Sequence, residues 1–438
     1  MPLAAITPPS SSGTATPTST SALTNAGISS SLQKTAPSLF AQNGTTTPLA
    51  DLDASLLHAT YTTAPRPVPG HDSAETAAQR TCTDHMVTAR WTLARGWEAP
   101  ELKPYGALSI MPNASVLHYA TECFEGMKLY RGHDGRLRLF RPDRNAARML
   151  TSAARIALPA FPPVELIKLV TALCATDGPK WLPKTQPGHF LYIRPTMIAT
   201  DAALGVQRPK EALLYLILAC FPDMTVSASS HETGKSGLRL LARNDDTVRA
   251  WPGGFGFAKV GANYGPSLVA QGEARARGYD QILWLFGDDC DVTEAGASNF
   301  FVVWKTHDGT MQLVTAPLDG GIILDGVTRR SVLELARTRL TGSVEGLAPL
   351  ETVERKFTMA EVVLAADEGR LVEAFAAGTA FFIAPVAEIH FRGKDLNVPM
   401  GADGKSGSYA KCLKGWLQGI MYGRETHEWG VVVDEMGV

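Results

Sequence analysis

From about residue 75 onward, apolar positions follow two alternating rhythms, one helical and one of extended strands. In RPDRNAARMLTSAARI (141–156), Met149, Leu150, Ala153 and Ile156 recur at helical spacing, with Pro142 suited to a first turn. PPVELIKLVTALCA (162–175) repeats that rhythm through Leu166, Ile167, Val170, Leu173 and Cys174. Strands are predicted at HFLYIRPTMIA (189–199), ALLYLILACF (212–221), GLRLLA (237–242), DQILWLF (280–286) and NFFVVW (299–304). Pro266 and Ser267 start a further helix, and GVTRRSVLELARTRL (326–340) is another. In TMAE (358–361), Thr358 and Glu361 have capping-box spacing. EAFAAGTAFFIAPV (373–386) reads as strand, glycine turn, strand.

These elements predict a mixed α/β (α+β) chain in two parts. A smaller N-terminal domain spans 75–228 and a larger C-terminal domain spans 246–438. The polar stretch SASSHETGKSG (227–237) marks the linker, set at 229–245. Residues 1–70 are expected to be a disordered Ser/Thr/Ala/Pro-rich extension. The first 50 hold no acid and one base, Lys34, too little apolar surface to offset chain entropy.

Composition narrows the function. The 438 residues carry a net charge of −2, which argues against a nucleic-acid-binding surface. No apolar run approaches the ~18 residues of a membrane-spanning helix. Six cysteines lie scattered without CxxC or metal-site spacing, so no metal is expected and a reducing compartment is. The N-terminus lacks arginine before Arg66, so the cytoplasm is the expected location; its acid-poor, Ser-rich character keeps mitochondrial import as the alternative.

TGKS (233–236) fails as a phosphate loop, because the required first glycine is Ser229 and a strand follows instead of a helix. No dinucleotide fingerprint, GxSxG or HExxH motif appears. FGFAKVGANYGPSL (255–268) is different. Lys259 lies among Phe255, Phe257, Ala258, Val260 and Ala262, with no acid nearer than Glu273. Two readings stand: a surface lysine, or an amine whose charged form is disfavoured and which suits Schiff-base chemistry. A carbonyl cofactor would also need a phosphate anchor, an acid at its ring nitrogen and a donor at its phenolate. Tyr264 suits the phenolate. Glu294 suits the nitrogen, or is a surface turn acid. Gly326-Val327-Thr328 opens a helix whose free N–H groups suit a phosphate, or is a plain helix start. Arg148 clamps that phosphate or pairs with a carboxylate. The flanking Gly256, Gly261 and Gly265 are expected to let backbone approach a flat cofactor closely.

The chain resembles the branched-chain-amino-acid aminotransferases of the class IV, pyridoxal-phosphate-dependent family, from TDHM (83–86) to HEWG (427–430). The resemblance is carried by LHYATECFEGMKLYRG (117–132), RLFRPDRNAARM (138–149), LYIRP (191–195), AKVGANYGPSL (258–268), QILWLFG (281–287), TEAGASN (293–299), LDGVTRRS (324–331), FAAGTA (375–380) and YGRETHEW (422–429). It implies fold type IV, with the active site between two domains, pyridoxal 5'-phosphate as cofactor, and amino acids and 2-oxo acids as small-molecule partners. It implies Lys259 as Schiff-base lysine, Glu294 as ring-nitrogen partner and Tyr264 as phenolate donor. Arg148 with the Val327 and Thr328 backbone would form the phosphate cup. Tyr119, Tyr192, Arg194 and the Thr379-Ala380 backbone would form the substrate pocket. A homodimer is implied, because the family takes the Tyr119 loop from a partner subunit. The implied reaction is transamination of leucine, isoleucine and valine with 2-oxoglutarate, in biosynthesis or catabolism. A same-fold enzyme for other amino acids, D-amino acids included, is the alternative, and a non-catalytic cofactor-binding relative the remote one. The chain departs from the family pattern in three places. Ala297 replaces a common threonine, Phe381 and Ala384 replace a CxxC found in some members, and Ala78 replaces an aromatic pocket residue, which puts strict branched-chain preference in question.

Overall fold

The computed structural model describes residues 49–223, 236–243, 247–342, 344 and 346–435. Two sheets build it. The first contains β1 (His58–Ala59), β2 (Cys82–Thr92), β3 (Gly96–Trp97), β4 (Glu101–Pro104), β5 (Glu122–Phe124), β6 (Met127–Arg131), β7 (Leu137–Phe140), β8 (Phe190–Ala199) and β9 (Glu211–Ala219). The second contains β10 (Leu238–Arg243), β11 (Gln281–Phe286), β12 (Asp291–Ala295), β13 (Ser298–Lys305), β14 (Met311–Thr315), β15 (Glu351–Glu354), β16 (Leu371–Gly378), β17 (Phe382–Phe391) and β18 (Lys394–Asn397). The final strand, β19 (Gly430–Val433), returns to the first sheet and pairs antiparallel with β7. The orders are β1-β4-β2-β9-β8-β6-β7-β19 and β12-β11-β10-β17-β16-β13-β14-β15, with β3, β5 and β18 pairing off these paths.

The eight helices, α1 (Ala74–Ala77), α2 (Ser115–Tyr119), α3 (Pro142–Arg155), α4 (Pro163–Trp181), α5 (Ser267–Ala276), α6 (Val327–Arg339), α7 (Met359–Asp367) and α8 (Ser408–Met421), cover the sheets among the described residues. The run NFFVVW is continuous because β13 is buried on both faces. Phe301 and Val303 pack with Val332 of α6 and Leu413 of α8, while Phe300, Val302 and Trp304 pack with Met359 and Val362 of α7.

Helix α4 outruns its predicted end at 175, through Gly178 and Pro179. Tertiary contacts explain this. Buried Asp177 accepts from His85 N and Nδ1, and a Cβ at Gly178 would lie 2.5 Å from Leu137 Cδ1. The expected extension over 1–70 is corrected at its end. Residues 1–48 lie outside the described residues, but 49–70 are built in. Leu52 is 1% exposed, and β1 pairs in parallel with β4. Thr62 N donates to His85 Nε2 and Arg66 N to Asp84 Oδ1. Composition could not reveal those acceptors, which come from the TDHM motif. Residues 224–235 and 244–246, and with them most of the expected 229–245 linker and Thr233-Gly234-Lys235 of TGKS, also lie outside the described residues. The strand read at 237–242 is β10. The expected C-terminal part does not stay in its own sheet, since β19 closes the first.

The capping box forms fully: Glu361 N donates to Thr358 Oγ1 (3.2 Å) and Thr358 N to Glu361 Oε2 (2.8 Å). Thr358→Ala should therefore lower stability by about 1 kcal/mol in urea unfolding while leaving ligand binding unchanged.

Candidate active site

Lys259 is held by its backbone while its side chain is left to act. Its N–H donates to Ser152 Oγ (2.8 Å), its carbonyl accepts from Phe124 N (3.1 Å), and Val260 bridges to Cys123. Ser152, on α3, donates its own proton to the Arg148 carbonyl (2.9 Å), so a lone pair is left facing Lys259. A short turn at Gly261–Asn263 brings Tyr264 back, with its hydroxyl 3.1 Å from Lys259 Nζ. Buried Asn263 fixes the loop by donating to the Phe255 and Ala258 carbonyls. Lys259 is half-buried, its Nζ 4.9 Å from the Phe124 ring centroid, so the surface-lysine reading is set aside. The glycine expectation is corrected too. A Cβ at Gly256 would meet the Ile322 carbonyl at 2.4 Å and one at Gly261 the Glu122 carboxylate at 2.1 Å, while Gly265 has open space. The two close approaches are to protein.

Of the two roles its sequence left open, Arg148 takes the carboxylate pair. Its Nε and Nη2 donate to Glu125 Oε1 and Oε2, each at 2.7 Å, and its Nη1 donates to the Asp325 carbonyl (3.0 Å). Burial works against the guanidinium's charge, but Glu125 outweighs it and raises the pKa further. Glu125 is fully buried and also accepts from Asn145 Nδ2 (2.8 Å). Arg148 thus reaches the start of α6, where no side chain caps the helix. The backbone N–H groups of Val327 and Thr328 and the remaining N–H bonds of Arg148 are the groups that could hold an anion here.

Glu294 is not a surface turn acid. It lies on β12, 2% exposed. Its Oε1 accepts from Asn299 Nδ2 (3.1 Å) and Leu324 N (3.2 Å). Its Oε2 lies 2.6 Å from Arg249 Nη2, yet makes no well-aligned hydrogen bond. Burial pushes this carboxyl up, while Arg249 and the Leu324 N–H pull it back. A buried carboxylate held in place by Arg249, Asn299 and the Leu324 N–H suits a protonated ring nitrogen.

Arg194 and Tyr192 stand together on β8, with Arg194 Nη2 3.3 Å from the Tyr192 hydroxyl. The guanidinium lies over the Phe124 ring at 4.7 Å, and its buried Nε has no partner. A Cβ at Gly126 would lie 2.1 Å from the Tyr192 hydroxyl, so the glycine of FEGMK makes room for it. Thr379 Oγ1 approaches the Gly126 carbonyl (3.4 Å), which brings the Thr379-Ala380 turn to the same place. Tyr119 is not brought to this cluster within one chain. It ends α2, is 42% exposed, and donates to the Leu204 carbonyl. Ala78 and Ala297 are both exposed.

Glu125, Ser152, Arg249 and Lys128 escaped the sequence reading. Glu125 and Lys128 had a signal, being charges inside the apolar segment CFEGMKLY. The buried Glu294 carboxylate, the uncapped α6 terminus and the Lys259–Tyr264 pair fit the ring nitrogen, phosphate and aldehyde-phenolate side of pyridoxal 5'-phosphate. Among the described residues no group of three or more metal-ligating side chains exists, and no helix is long and apolar enough to cross a membrane.

Comparison with known proteins agrees. The family described as Amino-transferase class IV matches residues 122–389. The cytosolic branched-chain-amino-acid aminotransferase of Saccharomyces cerevisiae is 46% identical over 391 residues, 89% of this chain and 99% of that protein. The mitochondrial enzyme of the same yeast is 44% identical over 389 residues, 88% of this chain and 95% of that one. The solved branched-chain amino acid aminotransferase of Thermobaculum terrenum in its PLP form shares the fold, with TM-score 0.58 and 24% identity, covering 79% of this chain and 98% of that one. Sequence, fold and site geometry together place this chain in the class IV aminotransferase family.

Proposed function

We propose that this protein transfers the amino group of leucine, isoleucine or valine to 2-oxoglutarate, giving the branched 2-oxo acids and L-glutamate. The observation that carries the chemistry is the Lys259–Tyr264 pair set beside a buried acid and the uncapped start of α6. The substrate class rests on the 46% identity with the yeast enzyme.

Pyridoxal 5'-phosphate, when bound, supplies a conjugated ring that takes up the electron pair left at the substrate α-carbon. The chain's residues do the rest. Arg148 and the Val327 and Thr328 N–H groups would hold the phosphate. Lys259 Nζ would hold the aldehyde carbon, and as a free amine would take and return the proton of the substrate α-carbon. Tyr264, fixed by its turn, donates at the phenolate and keeps Nζ in place. Glu294 holds a proton on the ring nitrogen, which stabilises charge that develops only as the α-proton leaves. Tyr192, Arg194 and the Thr379-Ala380 turn take the substrate carboxylate. Because amino donor and 2-oxo acceptor use one site in turn, the kinetics are double-displacement.

The partner of the chain is a second copy. Helix α2 and the loop after β8 are joined by Tyr119 to Leu204 and Asn113 to Ala202, and together expose Met111, Leu117, Leu204 and Val206. These exposed apolar side chains lie on the two segments joined at Tyr119, which supports a homodimer sharing Tyr119 across subunits.

Lys259→Ala should lower turnover by ~10³-fold or more, and a rate near wild type would sink the assignment. A panel of amino acids with 2-oxoglutarate as acceptor should show leucine, isoleucine and valine turned over fastest; preference for aromatic or D-amino acids would refute the substrate class. Glu125→Ala leaves Arg148 buried and unpaired, so stability should fall by roughly 3–5 kcal/mol in urea unfolding. Cofactor affinity, read by fluorescence titration, should fall with it. Sedimentation equilibrium should give twice the chain mass, with Leu117→Asp shifting it to the monomer.

A further inference from the structure

Lys128 is a buried charge that the chemistry above does not use. It lies on β6 and is 3% exposed, whereas lysines are almost never fully buried without a partner. Its ammonium donates to the Ala380 carbonyl at 2.9 Å and sits 3.8 Å from the Phe190 ring centroid and 4.4 Å from that of Phe382. Among the described residues no carboxylate lies within ion-pair distance of it. The turn it grips is conformationally demanding, because Phe382 is a buried non-glycine residue at φ +60°. Lys128 stands directly opposite Tyr192 across the β6–β8 pair, so the two side chains share a face of the sheet. A buried cation with no carboxylate in ion-pair contact, beside Tyr192 and behind the Thr379-Ala380 turn, has room for an anionic partner.

We propose that Lys128 is a positioning residue for the substrate carboxylate: its ammonium pins the Ala380 carbonyl, sets the turn's N–H groups, and gains its counter-charge when the anion binds. This rests on the reading that the Thr379-Ala380 turn takes that carboxylate. Burial pushes the Lys128 ammonium down to about 7; Asp223, following β9, opposes this and Lys414, on α8, adds to it. Tyr192 faces it from β8, and the 379–382 turn brings no titratable side chain. The charge is therefore present below neutral pH and lost above it unless a bound anion holds it.

The test is calorimetric titration of the cofactor-loaded protein with 4-methylpentanoate and with its neutral amide. Wild type should bind the carboxylate at least about tenfold more tightly at pH 6.5, with the preference shrinking by pH 8.5. In Lys128→Met the preference should drop to about twofold and lose its pH dependence. A Lys128→Met protein that keeps the wild-type preference at both pH values overturns the role of Lys128 and leaves the carboxylate site standing. Wild type without any preference overturns the carboxylate placement, and the proposal with it. Should Lys128→Met fail to fold, proton uptake on binding decides instead. Wild type at pH 7.5 should take up protons with 4-methylpentanoate and none with the amide, and equal uptake overturns the proposal.

Discussion

The site depends on one buried ion pair. Glu125 sits between β5 and β6 of the first sheet, and Arg148 on α3 meets it with two parallel N–H bonds. Both are removed from water, so either alone would carry a large desolvation penalty. Paired, they become a rigid fork whose remaining edge points to Asp325 and the start of α6, which packs on the second sheet. The strongest polar contact of the site is therefore also a tie between the two sheets. Ser152, one turn along the same helix, adds a second tie, to the backbone of Lys259.

That arrangement separates holding from reacting. The Lys259 backbone is fixed at N–H, at carbonyl and by the Val260 bridge, so little freedom remains except along the side-chain stem. The amine rests 3.1 Å from the Tyr264 hydroxyl. Around it, charges sit in surroundings of low dielectric, where each acts over a longer range than in water. Glu294 is affected by burial, by Arg249 and by Lys259 together, so the charges of the site respond to one another.

Much of this could be read from the sequence because it was local. The helix carrying Arg148, the strand run at 299–304 and the capping box at Thr358 each declare themselves by spacing. Lys259 and Tyr264 are five residues apart, and a single short turn joins them. What stayed hidden was set by distant partners. Glu294 looks like a turn acid until Asn299, Leu324 and Arg249 close over it. Arg148 offered two roles that sequence could not choose between, and the fold pairs the guanidinium with Glu125. Residues 49–70 look too polar to order, yet they pair with acceptors more than fifteen positions away. Gly256 and Gly261 announce close approach but not to what, and the answer was Ile322 and Glu122.

The return of β19 to the first sheet bears on how the chain is made. Fully buried Arg131 pairs with Glu435, a residue 304 positions later, and β7 finds its last neighbour only in Gly430–Val433. During synthesis the first sheet emerges early, but its β7 edge keeps unpaired backbone donors and acceptors until residues 430–433 have left the ribosome. Closing so long a loop is entropically slow. The nascent chain thus carries an open, sticky strand edge until β19 arrives, and loss of β19 would leave the folded protein with the same exposed edge.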